Sequence, residues 1–240
     1  MHETAALLET AQRVRAAREE AVLVTLVKTE GSAYRRAGAR MLITPGLRTV
    51  GTISGGCLEP EVARQAWEAT RRASTAVLIV DNTTDDDRWG SPSGCHGRLY
   101  LLAERVMPAT DDAAGDAIPA DGGEALRLIE TAWRDHRPAA IAHLFALEGD
   151  CTLRPAGRII IDAGGVHVSD VGLDAASIAT WTAAARDALQ SRAHHGHGGR
   201  SCWRDDRAST AAFLEIITPP LHLLICGAGN DAQPVARLAA

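Results

Sequence analysis

The residues of this chain that could do chemistry stand in a few glycine-rich turns. The first is Gly51-Thr52-Ile53-Ser54-Gly55-Gly56-Cys57-Leu58-Glu59. It reads as a strand feeding a double glycine and then a helix, with Pro60 in the first helical turn. Such a turn exposes backbone N–H groups in front of the positive end of a helix, and those groups make an anion site suited to a phosphate or a carbonyl oxygen. Cys57 would stand at that helix end as a soft ligand or a sulfur nucleophile. Alternatively, Gly55 and Gly56 make only a tight turn and Cys57 packs. The second turn, Trp89-Gly90-Ser91-Pro92-Ser93-Gly94-Cys95-His96-Gly97, sets a cysteine between glycines that allow a ligand to approach the backbone. Cys95 followed by His96 suggests a metal-binding pair or a thiol beside a proton acceptor, or else a plain loop, because neighbours on an extended chain point apart. In the third, Gly31 to Arg40, the cations Arg35, Arg36 and Arg40 could clamp a phosphate in bidentate fashion or form a solvated face. His194, His195 and His197 lack a Cys or carboxylate partner at metal-site spacing and are given no role.

These turns need elements to hold them. Thr4–Arg18 has apolar residues at helical spacing, and Ala21–Thr29 is a β-branched and leucine run that reads as a strand buried on both faces. Ala39–Thr44, Thr49–Ile53, Val77–Val80 and Leu99–Leu102 read as further strands, and Val62, Ala66 and Ala69 give the intervening helix its inward face. Residues 106–122, rich in Ala, Asp, Gly and Pro, read as a linker or long surface loop. Sliding the chain on itself by 118 residues sets Glu30-Gly31 on Glu148-Gly149, Arg40 on Arg158 and Met41-Leu42-Ile43 on Ile159-Ile160-Ile161. The expectation is α/β: two similar strand–loop–strand–strand–helix units, 20–74 and 138–192, in a domain spanning 1–218. The second helix runs from about Ala175 to Leu189, and a polar loop Arg192–Asp206 and a strand Phe213–Thr218 follow. Where the first unit has Ser54-Gly55-Gly56-Cys57-Leu58-Glu59, the second has Gly172-Leu173-Asp174-Ala175-Ala176-Ser177, so chemistry is expected in the first.

After Pro219-Pro220, a short apolar run Leu221–Cys226 leads into Gly227-Ala228-Gly229-Asn230-Asp231-Ala232 and a helix-like tail. This is G-x-G-x-x-A in a strand–turn–helix context, the opening of a dinucleotide-type fold. A βαβ unit takes about 30 residues or more. Residues 219–240 therefore read as the start of a truncated Rossmann-like domain, and the chain as a fragment.

Composition excludes several classes. With 46% hydrophobic and 23% charged residues the chain is ordinary globular protein, and a net charge of -5 with no Lys/Arg block argues against nucleic-acid binding. The N-terminus has neither a signal-peptide apolar region nor a membrane-spanning run, which makes the cytoplasm the expected compartment. Five scattered cysteines, an odd count without CxxC pairing, read as reduced thiols rather than a disulfide framework.

Taken together, Glu30-Gly31-Ser32 with Gly38-Ala39-Arg40-Met41, Gly55-Gly56-Cys57-Leu58-Glu59, the glycine-flanked Cys95, and Pro219-Pro220 before Gly227-Ala228-Gly229 resemble the XdhC/CoxI family in order and spacing over almost the whole chain. Members of that family bind a molybdopterin-type cofactor, protect it, allow its sulfuration and pass it to an apo-hydroxylase; they are chaperones, not enzymes with turnover. The resemblance implies that Cys57 contacts molybdenum or its sulfido group and that Glu59 orients the loop. It places Cys95 in the family's glycine-rich segment, although His96 stands where the family has glycine. It makes Gly227, Gly229 and Ala232 the start of a Rossmann-like domain, with a nucleotide as a further ligand. The partners it implies are an apo-molybdenum hydroxylase of the xanthine dehydrogenase type, a cysteine desulfurase and cofactor-synthesis proteins, with no nucleic acid or membrane; a homodimer is an open alternative. In this reading the Gly55-Gly56 turn and the arginine loop take the cofactor's phosphate or dinucleotide tail, and Cys57 with Cys95 takes the metal. Two rivals are an NAD(P)-binding Rossmann oxidoreductase and a non-catalytic interaction module whose glycines and cysteines serve only packing.

Overall fold

A computed structural model describes residues 2–81, 97–108, 122–148, 152–169, 172–195, 201–205, 210–221 and 223–239. The first half runs α1 (His2–Ala16), β1 (Ala21–Gly31), β2 (Arg40–Thr44), β3 (Arg48–Gly51), α2 (Glu59–Arg72), β4 (Thr75–Asp81) and β5 (Gly97–Val106). The second runs α3 (Gly122–Arg134), β6 (Ala139–Glu148), β7 (Thr152–Asp162), β8 (Gly165–Ser169), α4 (Ala175–His195), β9 (Ser201–Asp205) and β10 (Thr210–Ile217), and α5 (Ala232–Ala239) follows. Each half builds one antiparallel five-stranded sheet, ordered β3-β2-β1-β5-β4 and β8-β7-β6-β10-β9. The strand orders are the same, and so is the register. Val22 pairs with Ile43 and Thr25 with Arg40 in one sheet; the residues 118 places on, Ala140 with Ile161 and His143 with Arg158, pair in the other.

Apolar character on both sides of the central strands dictates the layers. Val22, Val24, Met41, Ile43 and Leu101 pack under Val62, Ala63 and Ala66 of α2. Ala140, Ala142, Ile159 and Leu214 pack under Trp181 and Ala185 of α4. The inner faces share a core in which Leu23, Leu42, Ile141 and Ile160 meet Leu7, Val14, Leu126 and Ile129 of α1 and α3. A smaller cluster of Val27, Tyr100, Leu102, Phe145 and Phe213 joins the sheets directly. Each such fully buried aliphatic side chain contributes about 1.5–3 kcal/mol.

Two charged pairs cross between the sheets. Arg40 holds Glu215 with both guanidinium nitrogens. Arg158 holds Glu104 and donates 2.9 Å to Glu124 Oε2. Glu104 lies opposite Leu23 on β1 and Glu215 opposite Ile141 on β6, so the two glutamates are equivalent positions, as the two arginines are. The pairs are reciprocal, the arrangement of an isologous contact between two copies of one unit.

The structure departs from expectation in four places. Gly122–Arg134 is a helix for which the sequence reading named no element; it begins where the expected linker 106–122 ends, and residues 109–121 lie outside the described residues. Helix α4 continues past Leu189 to His195, and the expected polar loop contains strand β9, which pairs with β10. Leu221–Cys226 forms no strand among its described residues, because an apolar run becomes a strand only with a neighbour to complete its hydrogen bonds. The helix after it, α5, is present with no buried residue. No helix among the described residues is long and apolar enough to cross a membrane.

Candidate functional site

One end of the first sheet collects the Gly31–Arg40 and Gly51–Glu59 turns and the start of β5 at Gly97. Because the sheet is antiparallel throughout, the end of β1 at Gly31, the start of β2 at Arg40, the end of β3 at Gly51 and the start of β5 at Gly97 all lie there. Gly97 pairs with Gly31, and a Cβ on it would stand 2.2 Å from the Ser32 carbonyl oxygen, so only glycine lets the chain enter β5 there. Cys95 lies outside the described residues, two positions before this anchor.

The loop Thr52–Leu58 is organised around the carboxylate of Glu59, the first residue of α2. Its Oε1 accepts from Thr52 Oγ1 at 2.8 Å and from the N–H groups of Ile53, Ser54 and Gly55 at 3.1, 3.0 and 3.3 Å. Its Oε2 accepts from Ser54 Oγ at 2.6 Å, Gly56 N–H at 2.9 Å and Leu58 N–H at 3.2 Å. Gly55 and Gly56 have φ of +111° and +117°, a region that disfavours side chains, and this lets successive N–H groups converge on one anion. Burial alone would raise the Glu59 pKa, but hydrogen bonds from the Ser54 side chain and backbone and from Thr52 outweigh it and hold the carboxyl down at about 2.

This geometry corrects the reading of Gly55 and Gly56 as an open anion site. Their N–H groups are taken by the chain's own carboxylate, and a ligand phosphate would have to displace it. The N–H groups that Glu59 gathers precede the helix, whose N-cap residue Leu58 makes no side-chain cap. Cys57, on the far side of the glycines, is exposed.

The arginines are corrected in the same way. Arg40 is the largely buried partner of Glu215, and Arg35 lies 2.6 Å from Glu3 Oε2. Neither is a spare cation awaiting phosphate; the exposed side chain of Arg36 makes no hydrogen bond or ion pair with a described residue. Sequence reasoning missed Glu3, whose other oxygen accepts from Thr52 N–H at 2.9 Å and so ties the Arg35 loop to the base of the Cys57 loop. Nothing in the local pattern signals it, since its partners lie 32 and 49 residues away.

The remaining candidates do not join this cluster. Gly227, with φ +132°, and Gly229 precede α5, and Gly229 O accepts from Ala232 N–H at 3.0 Å, an ordinary turn. The side chains of His194 and His195, and His197 entirely, lie outside the described residues. Among the described residues no three His, Cys, Asp or Glu side chains gather as metal ligands.

The sheet end, the glutamate-centred loop and the exposed cysteine are the parts that comparison with known proteins can place. Residues 14–81, which contain β1 to β4 and the whole loop, match the model of the XdhC and CoxI family. A curated relative from Bacillus subtilis, described as a probable xanthine dehydrogenase subunit, is 30% identical over 228 residues, which are 92% of this chain and 57% of the relative. Over residues 14–81 the chain is similar to the XdhC and CoxI family. It spans 57% of the length of that relative. A solved chain described as a xanthine dehydrogenase from Bacillus halodurans superposes over 97% of this chain and 58% of its own, with a TM-score of 0.62 and 21% identity, a likeness of fold. The part of the molecule that matches the XdhC and CoxI model is the half that carries Glu59 and Cys57.

Proposed function

We propose that this chain is an accessory factor for a xanthine dehydrogenase-type molybdenum hydroxylase, binding the molybdenum cofactor and delivering it without catalysing turnover. The match of residues 14–81 to the XdhC and CoxI family model and the likeness to a probable xanthine dehydrogenase component support the accessory role. The observation that carries the binding site is the exposed Cys57 thiol, presented by a loop whose shape is set by Glu59 and not by a ligand.

The residues fit one end of the cofactor and not the other. A soft, accessible sulfur suits a molybdenum–sulfur centre, and Cys95, which lies outside the described residues, is the second thiol proposed for it. The phosphate or dinucleotide tail is not assigned to the Gly55-Gly56 amides, to Arg35 or to Arg40, all of which already have anionic partners; Arg36 is the cation left exposed. When bound, the cofactor supplies the hydroxylase's redox centre. This chain's residues hold it, keep its metal end in reach of a thiol and release it to the apo-enzyme. Exposed thiols oxidise readily, which suits a reducing cytoplasm as the working compartment. A cysteine desulfurase and cofactor-synthesis proteins are the further partners this role calls for.

The test is co-purification of the chain, wild type and Cys57→Ala, from cells that make the cofactor, with pterin fluorescence and molybdenum analysis. Pterin and metal bound to the wild type and lost from a folded Cys57→Ala variant support the proposal. A wild type that carries neither sinks it.

A further inference from the structure

Tyr34 stands out from every other aromatic residue whose side chain is described. Tyr100, Phe145, Phe213 and Trp181 are buried, and Trp67 and Trp133 are partly so, whereas Tyr34 is 75% exposed. A large ring kept in water needs a reason when the chain has only 4% aromatic residues to build its cores.

Its surroundings supply one. Tyr34 sits on the β1–β2 loop beside Arg35, whose bond to Glu3 and the bond of Glu3 to Thr52 fasten this loop to the one that carries Cys57. The loop is also closed at its base, where Gly38 N–H donates 2.8 Å to Leu26 O and Leu26 N–H donates 2.9 Å to Ala39 O. The ring stands against Gly55: a Cβ there would lie 3.9 Å from Tyr34 Cβ and Cγ. Around Gly56 a Cβ would meet nothing within 4 Å. The two glycines therefore leave open ground between an exposed ring and an exposed thiol, with the backbone below it held by Glu59.

We propose that Tyr34 is a stacking platform for a flat conjugated heterocycle, the organic part of a ligand whose soft metal–sulfur end reaches Cys57. This rests on the cofactor-binding reading above and adds to it the residue that recognises the ring system. An aromatic face paired with a planar ring is tolerant of substituents and needs no charged partner, which suits a site where Arg35, Arg40 and the loop amides are already satisfied.

The experiment titrates the whole chain with a free oxidised pterin, 6-hydroxymethylpterin, which has neither metal nor dithiolene, and follows quenching of the pterin fluorescence. Wild type, Tyr34→Phe and Tyr34→Ala are compared, with melting temperatures measured alongside. Loss of the ring should weaken binding about tenfold in Tyr34→Ala at an unchanged melting temperature, while Tyr34→Phe binds as the wild type does. Equal affinity of wild type and Tyr34→Ala overturns the platform. So does a wild type that ignores the bare pterin yet co-purifies with molybdenum and pterin, a result that leaves the proposed function standing. If no cofactor co-purifies either, both inferences fall.

Discussion

The two halves of the molecule have the same strand order and register, and they differ most at the sheet end that carries the site. In the second half the hairpin zips shut: pairing between β6 and β7 continues through a bulge at Leu144 and Phe145 to Glu148 opposite Thr152. In the first half the β1–β2 ladder stops at Thr25 opposite Arg40, and the chain beyond opens into the loop that holds Tyr34 and Arg35. The helix starts differ as well. Helix α4 begins with a simple cap, Asp174 Oδ1 accepting from Ser177 N–H at 2.7 Å; α2 begins with a carboxylate that gathers five backbone N–H groups and two hydroxyls. One copy uses the least machinery a helix start needs. The other devotes a buried charge and two glycines at positive φ to shaping a loop, which stability alone does not require.

The largest expected effect tests the symmetry itself. Arg158 and its partners Glu104 and Glu124 have side chains at most 9% exposed, so Arg158→Met takes the cation from two buried carboxylates and should cost about 3–5 kcal/mol. The equivalent Arg40→Met strands one carboxylate, Glu215, at the more open pair and should cost clearly less. Urea denaturation of both variants decides it, and equal losses would mean that the two crossings are energetically alike despite their different depth.

Glu59→Gln comes next. A glutamine puts an N–H₂ donor among groups that are all donors, and the expected loss is about 2–3 kcal/mol. The same carboxylate gives an acid signature. Its folded pKa lies at about 2, below the usual value of 4.5, so its contribution is complete above pH 4.5 and drains away as the pH falls from 4.5 towards 2, up to about 3 kcal/mol in all. Stability measured from pH 6 to 2.5 should fall less steeply in Glu59→Gln than in the wild type. His143 adds a slope at higher pH: its burial, with Arg158 and Arg40 nearby, lowers its pKa well below 6.5. The unfolded chain therefore takes up the proton first as the pH drops through 6.5, and stability declines there too. A profile flat from pH 7 to 5 would refute that neutral, buried histidine.

These contrasts also show what a sequence can and cannot reveal. The strand–loop–strand core of each half is legible because Met41-Leu42-Ile43 and Ile159-Ile160-Ile161 repeat an apolar run beside Arg40 and Arg158. Helix α3 is not, because it opens on Gly122 and Gly123, poor helix formers; Gly122 is required by the fold, since a Cβ there would stand 2.9 Å from Glu104 O. Strand β9 hides behind its polar sequence, and its pairing with β10 makes it a strand. At the site, the glycine–glycine–cysteine turn before a helix is readable locally, whereas Glu59 as the acid that orients it comes from the family resemblance. The fate of Arg40 is not, because its partner is 175 residues away and belongs to the other sheet.

The smallest stability effects bear most directly on function. Asp174→Ala removes an ordinary cap and should cost about 1 kcal/mol, visible as a modest shift in the urea midpoint. Cys57→Ala removes an exposed side chain with no described partner and should change stability by less than about 0.5 kcal/mol. If the first half is the chemical half, the ranking for cofactor retention runs the other way. Asp174→Ala should leave bound molybdenum untouched and Cys57→Ala should abolish it, with stability nearly unchanged in the variant that fails. A cysteine that mattered only through packing would lose stability and metal together, so measuring both on the same preparations separates a ligand from a structural thiol.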